Sequence, residues 1–255
     1  MIRTMLAKLL KSRRTPVWRP ALPAGERVYA VGDVHGCLEE LDRLLALIEA
    51  DDAARGPAST TLIFIGDLVD RGPASAQVIE RLLVLSTRRG NMRFLAGNHE
   101  EIFQRAIAGE EKALRLFCRI GGRETAISYG LAPEEYDRMD YPELAAALRT
   151  RVPVDHRAFL ARMEDMIVLG DYMFVHAGVH PAADLEQQDP SDLRWIRSPF
   201  LDHGRPLAKM VVHGHTIAED VDIRPHRIGI DTGAYATGRL TALGLEADEN
   251  WRLQT

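Results

Sequence analysis

RVYAVGDVHG (residues 27–36) and TLIFIGDLVDRG (residues 61–72) share one plan: a short apolar run that ends in glycine and aspartate. MRFLAGNHE (residues 92–100) repeats it with asparagine in place of the aspartate. Runs this short, β-branched and bounded by glycine, read as buried strands rather than helices. Two later runs follow the same pattern: Tyr172 to Val175 leads into His176-Ala-Gly178, and Lys209 to Val212 into His213-Gly-His215. Five strands therefore deliver Asp, His, Asp, Asn, His and His at their carboxyl ends, the edge at which open α/β sheets bind ligands.

Helical patterns separate the early strands. Leu38, Leu41, Leu44, Leu45 and Ile48 lie on one face of the first, and Val78, Ile79, Leu82 and Leu83 mark the second. Strand, loop and helix in alternation predict an α/β architecture. The segment from about 100 to 165 is different. Ile102, Phe103, Ala106, Ile107, Leu114, Leu116 and Phe117 predict helices, followed by Gly121-Gly122 and a further helical stretch around Pro142 to Arg149. This reads as a helical insert over one side of the site. Arg227 to Ile230 and Leu240 to Leu245 return to strand.

With 255 residues and 46% hydrophobic content, the chain suits one sizeable domain, expected over 26–255, behind a basic tail over 1–25. A net charge of −5 gives no overall basic field for nucleic acid. No apolar stretch approaches the length of a membrane span. The tail carries Arg3, Lys8, Lys11, Arg13, Arg14 and Arg19, with weak contact to an anionic membrane surface as the alternative to a solvated lead-in. Cys37 and Cys118 fit no metal or redox motif and imply no disulfide framework, so a reducing, cytoplasmic setting is expected.

The strand-end residues have the chemistry of metal ligands. Asp33 and His35 stand two apart in a turn, where both reach one cation; Asp67, Asn98, His176 and His215 arrive from later strands. Carboxylates, imidazoles and an amide oxygen without thiolates suit Mn, Fe or Zn and disfavour a closed structural zinc site. Six donors exceed the need of one catalytic ion; two divalent ions sharing a carboxylate account for them.

Gly32-Asp-Val-His-Gly36, Gly66 to Gly72, Gly97-Asn-His-Glu100, His176-Ala-Gly178 and Gly214-His215 together resemble the motif series of the calcineurin-like metallophosphoesterases. Asp70-Arg71-Gly72 and Asn98-His99-Glu100 resemble the phosphoprotein phosphatase branch, in particular its bacterial and phage members. The resemblance spans roughly residues 28 to 245. It implies a four-layer αββα sandwich. It also implies that Asp33 and His35 hold a first ion, that Asp67 bridges, and that Asn98, His176 and His215 complete the second.

By the same resemblance, Arg71 binds phosphate oxygens as a planar fork, and His99, oriented by Asp70, protonates the leaving oxygen. Arg197 is the expected second phosphate-binding arginine, with Arg194 as its competitor. The implied chemistry is attack on phosphorus by water acidified between two cations. The expected substrate is a phosphorylated protein, cleaved by a serine/threonine-type protein phosphatase, or else a small phosphoester.

Two departures from the family pattern bear on this. Ala96 stands before Gly97, where protein-phosphatase members usually show arginine, which leaves a dinucleoside polyphosphate hydrolase of the diadenosine tetraphosphate type as the alternative. Thr216-Ile217 follows Gly214-His215 in place of a further histidine. A catalytically silent binding module is disfavoured because every ligand position is filled. His213 reads as a packing or supporting histidine, and Asp231 as either an orienting group for a ligand histidine or a turn carboxylate.

Overall fold

A computed structural model describes residues 18–255. In chain order the elements are β1 (Glu26–Val31), α1 (Leu38–Ala54), β2 (Ser59–Phe64), α2 (Ser75–Arg88), β3 (Met92–Phe94), α3 (Asn98–Ala108), α4 (Glu111–Ile120) and α5 (Gly122–Ser128). There follow α6 (Pro133–Tyr136), α7 (Tyr141–Arg151), α8 (Val154–Leu160), β4 (Met166–Leu169), β5 (Tyr172–Val175), α9 (Pro190–Trp195) and β6 (Met210–His213). The chain closes with β7 (Asp222–Ile223), β8 (Arg227–Gly229), α10 (Ala234–Thr237), β9 (Thr241–Glu246) and β10 (Glu249–Gln254).

The strands form two five-stranded sheets, ordered β10-β9-β1-β2-β3 and β4-β5-β6-β8-β7. Strands β1, β2 and β3 run parallel, as do β5, β6 and β8, so their carboxyl ends share one edge. Period-two alternation assigns each side chain a layer. Val28, Ala30, Ile63 and Ile65 face Tyr172, Phe174, Val212 and Ile228 between the sheets. Tyr29, Val31, Leu62 and Phe64 point the other way, under α1 and α2. The expected α/β sandwich is present, with its helices unequally divided. On the outer face of the second sheet, Met173, Val175 and Val211 are covered by Leu193 of the short α9 and by Ile196 and Phe200.

The α1 stripe behaves as its spacing predicts, with Leu41, Leu44, Leu45 and Ile48 buried, each contributing about 1.5–3 kcal/mol of apolar burial. Helices α3 to α8 fill the stretch between β3 and β4 and pack Phe103, Leu114, Phe117, Leu144 and Leu148 into the core beneath α2. Three strands escape periodicity: β4, β7 and β10. Strand β10 is polar at an edge, and it is fixed because Trp251 lies over Gly244, where a Cβ would come within 2.2 Å of its ring.

Among the described residues no helix is long and apolar enough to cross a membrane. Arg3, Lys8, Lys11, Arg13 and Arg14 of the basic tail, and with them the expected membrane-surface contact, lie outside the described residues. Arg19 lies 3.6 Å from Asp248.

Candidate metal centre

The sequence-identified residues gather at the shared carboxyl edge, most on the loops that leave it, Asn98 and His99 in the first turn of α3 and Arg197 just past α9, and several are held in a backbone conformation unfavourable for side chains. His35, Asp67, Asp70, Arg71 and His215 all have φ between 46° and 72°. L-residues seldom occupy this left-handed region, and clusters of such outliers mark functional loops. Glu100 fixes one of them, Asp67, together with its neighbours. Its buried carboxylate accepts the backbone N–H groups of Asp67 (2.8 Å), Leu68 (2.7 Å), Val69 (3.3 Å) and Gly97 (2.9 Å). It thereby clamps the loop after β2 to the loop after β3. Nothing in the sequence pattern marks Glu100 as a clamp; its only signal is its place three residues into a helix that Gly97 opens.

Close approach of backbone explains two glycines. A Cβ on Gly97 would fall 2.1 Å from Asp67 Oδ1, and one on Gly214 would fall 2.0 Å from Asp33 Oδ1. Both carboxylates are therefore seated directly against main chain.

The imidazoles are oriented by their second nitrogens. His35 Nδ1 donates to Val69 O (2.8 Å) and His176 Nδ1 to Ile65 O (2.8 Å), which turns each Nε2 toward the cleft. His99 Nδ1 donates to Asp70 Oδ2 at 2.7 Å. Asp70 is fixed in turn by Thr125 Oγ1, which donates to its Oδ1 (2.7 Å), while its backbone N–H reaches Ser75 Oγ (3.0 Å).

Two donor triads result, with ligand atoms in each within 4.8 Å of one another: His35, Asp67 and His99, and Asp67, His176 and His215. Asp67 belongs to both. Asn98 Oδ1 joins the second, 3.0 Å from His176 Nε2, which lies 3.4 Å from Asp67 Oδ1. Asn98 Oδ1 and Asp67 Oδ1 thus flank the His176 Nε2–H, where a cation would take the place of that proton. Asp33 borders this triad; its carboxylate accepts the backbone N–H of His215 at 3.1 Å.

The local electrostatics call for positive charge. Burial drives the Asp33 carboxyl well above its usual range, reinforced by the charges of Asp231 and Asp67. Burial opposes ionisation of Asp67 too, but His176 and His99 outweigh it and hold that carboxyl ionised. Burial disfavours a charged His176, yet the Asp67 carboxylate overrides it and lifts the ring to about 10. His35 and His215 are lowered to about 3, chiefly by burial, so both rings are neutral and able to ligate. A buried carboxylate shared by two nitrogen-rich triads, with amide and imidazole acceptors facing it, fits a pair of divalent cations.

Arg71 places its guanidinium across the cleft, with Nη1 2.9 Å from His35 Nε2 and Nη2 3.0 Å from His99 Nε2. Arg194 and Arg197, the two candidates for a second phosphate-binding arginine, differ in their partners. Arg194 is tied to Asp165 (2.8 Å through Nε) and lies 3.5 Å from Glu101. Arg197 is exposed and reaches Thr216 Oγ1 (2.9 Å) and His215 O (3.3 Å), beside the second triad.

His213 is buried outside both triads, between Gly214 O and Arg227, and is lowered to about 3 by burial and the Arg227 charge. Asp231 accepts the Gly233 N–H (2.9 Å) as a turn carboxylate and bonds no histidine.

A profile of calcineurin-like phosphoesterases matches residues 26–219. The chain belongs to this family. Among curated relatives of this metallophosphoesterase is a symmetrical bis(5'-nucleosyl)-tetraphosphatase of Methylococcus capsulatus, 36% identical over 159 residues. That match covers 62% of this chain and 45% of the relative, so the chain spans under half of that protein's length. An asymmetrical bis(5'-nucleosyl)-tetraphosphatase PrpE of Anoxybacillus flavithermus is 27% identical over 84% of this chain and 88% of the relative.

Solved structures share the fold. One assigned provisionally as a diadenosine tetraphosphatase aligns with a TM-score of 0.60 at 22% identity, covering 93% of this chain and 98% of that one. A cold-active protein-tyrosine phosphatase of a psychrophile Shewanella sp. aligns with a TM-score of 0.54 at 18% identity, covering 92% and 82%.

These relatives overturn the expectation of a serine/threonine-type protein phosphatase, since the curated proteins are named for dinucleoside tetraphosphates. The physical reason lies in what the misleading motifs do. Asp70 bonds His99 and Glu100 clamps two loops, so these groups of both motifs are spent on assembling the donor cluster and carry no information on the rest of a substrate. Ala96, the residue that departs from the protein-phosphatase pattern, is buried and hydrogen-bonds Glu164 O through its N–H.

Proposed function

We propose that this metallophosphoesterase hydrolyses dinucleoside polyphosphates of the diadenosine tetraphosphate type. The observation that carries the reading is the likeness to PrpE-type tetraphosphatases along 84% of the chain, joined to a centre rich in phosphate- and metal-binding groups. Asp33, His35 and Asp67 would hold one divalent ion, His99 of the first triad being kept for proton transfer, and Asp67, Asn98, His176 and His215 would hold the second. Manganese is the favoured metal, with iron or zinc as substitutes, because every donor is nitrogen or oxygen. Bound divalent cations supply Lewis acidity there, neutralising charge on phosphoryl oxygens and acidifying a water.

The protein's own groups do the rest. Arg71 and Arg197 bind non-bridging phosphoryl oxygens through planar forks and align the chain of phosphates. His99, its Nδ1 fixed by Asp70, presents Nε2 to the departing oxygen and holds the proton passed to it. A reducing cytoplasm is the proposed setting, supported by two cysteines that are both free.

The test is mass analysis of diadenosine tetraphosphate after incubation with Mn-loaded protein. Two ADP molecules report symmetrical cleavage, and ATP with AMP reports asymmetrical cleavage. An unchanged substrate alongside brisk hydrolysis of p-nitrophenyl phosphate overturns the reading.

A further inference from the structure

Tyr235 is a large side chain left exposed, 41% accessible, at the rim of the metal centre. It sits on the four-residue α10, between Gly233 and Gly238, both with φ in the left-handed region (67° and 69°). Its ring lies 4.8 Å from the Arg71 guanidinium carbon and meets the His35 ring edge-on at 5.4 Å. Ile217, 48% exposed, lies against Gly233, close to where a Cβ on that glycine would stand (3.1 Å). Thr216 beside it holds Arg197. The phosphate-binding arginines are thus bordered by an aromatic and aliphatic shelf open to solvent.

Exposed apolar rings next to a phosphate site have a specific use. Every nucleobase has a flat π-face that stacks on aromatic side chains, and stacking of this kind tolerates different bases. A shelf one side chain away from a phosphoryl-binding guanidinium is within reach of a base carried on the same ribose phosphate. We propose that Tyr235, bordered by Ile217, is the base-stacking residue that gives this phosphoesterase its preference for nucleotides. The choice of ligand rests on the dinucleoside polyphosphate reading. A purely local role, in which Tyr235 only steadies Arg71 by a cation–π contact, is the competing explanation.

The experiment measures inhibition constants of AMP and ribose 5-phosphate against p-nitrophenyl phosphate hydrolysis, in wild type, Tyr235→Phe and Tyr235→Ala. The expected result is that wild type binds AMP more tightly than ribose 5-phosphate. Tyr235→Phe keeps that preference, and Tyr235→Ala weakens AMP about tenfold, in line with base stacking, while ribose 5-phosphate changes less than twofold. Tyr235 is exposed, so its truncation removes no core packing; a melting curve confirms the fold. Equal weakening of both ligands assigns Tyr235 to positioning Arg71 and overturns the proposal, as does a wild type without preference for AMP. The inhibition readout does not use diadenosine tetraphosphate, so failure to cleave that compound sinks the substrate reading separately.

Discussion

The Nδ1–H of His99 donates to Asp70 Oδ2 over 2.7 Å, and neither side chain meets solvent. Burial works against a charged His99, but Asp67 and Asp70 outweigh it and raise the ring above its usual value. A proton donor must be protonated to act, so its contribution is present at low pH and lost as pH rises through its pKa.

Replacing Asp70 by Asn therefore moves the alkaline limb of the kcat profile to lower pH. It also lowers kcat by about 10²–10⁴, the usual share of acid–base catalysis, with little change in KM. Steady-state rates across pH check both; an unmoved limb contradicts the assignment.

Glu100→Ala leaves the N–H groups of Asp67, Leu68, Val69 and Gly97 without their acceptor in a buried loop pair. Unsatisfied buried donors cost about 1–3 kcal/mol each, so a net loss of about 4 kcal/mol is expected in denaturant unfolding after partial relaxation. Wild-type stability in this variant would mean that the clamp is dispensable.

Gly214→Ala brings a methyl group against the Asp33 carboxylate, where a Cβ would stand 2.0 Å from Oδ1. Displacing a ligand or its support costs about 10–100-fold in metal affinity, to be read by calorimetric titration with Mn. The same titration with Gly90→Ala, where a Cβ meets nothing within 4 Å, is expected to match wild type.

Away from the centre, Asp51 gathers hydrogen bonds from Tyr29 Oη (2.6 Å), Arg55 Nε (2.8 Å) and Trp251 Nε1 (2.8 Å) onto one oxygen. Burial opposes ionisation, but these bonds prevail and hold the carboxyl below its usual range. A depressed folded pKa contributes stability above the unfolded value of about 3.9, and that contribution is lost as pH falls through the folded pKa. Asp51→Asn is expected to destabilise by about 2 kcal/mol at pH 7, with the gap to wild type closing below about pH 4. Urea melts at several pH values test the sign.

Much of this architecture was legible because strand ends and ligand types coincide. The runs into Asp33, Asp67, Asn98, His176 and His215 all become strands that end at one edge, as glycine-bounded apolar runs imply. The apolar stripe of α1 faces the core, as its spacing required. Strand β10 was not legible, because ENWRLQ lacks apolar alternation and is set by Trp251 packing on Gly244. The clamp by Glu100 and the left-handed backbone of Asp70 and Arg71 are tertiary facts with no local pattern. Substrate was misread for a related reason: Asp70 and Glu100 of the Asp-Arg-Gly and Asn-His-Glu motifs are engaged within the donor cluster, and the proposed stacking residue Tyr235 lies in no motif.

Asp67, shared by both donor triads, is expected to join two cations into one hydrolytic centre. Equilibrium titration of metal-stripped protein with Mn, followed by spin-coupling in the paramagnetic spectrum, measures this directly. Wild type is expected to take up two ions with a coupled signal, and Asp67→Asn to bind at most one, uncoupled, with phosphoester hydrolysis lost. Full activity with a single bound ion, or a coupled pair surviving in Asp67→Asn, contradicts it.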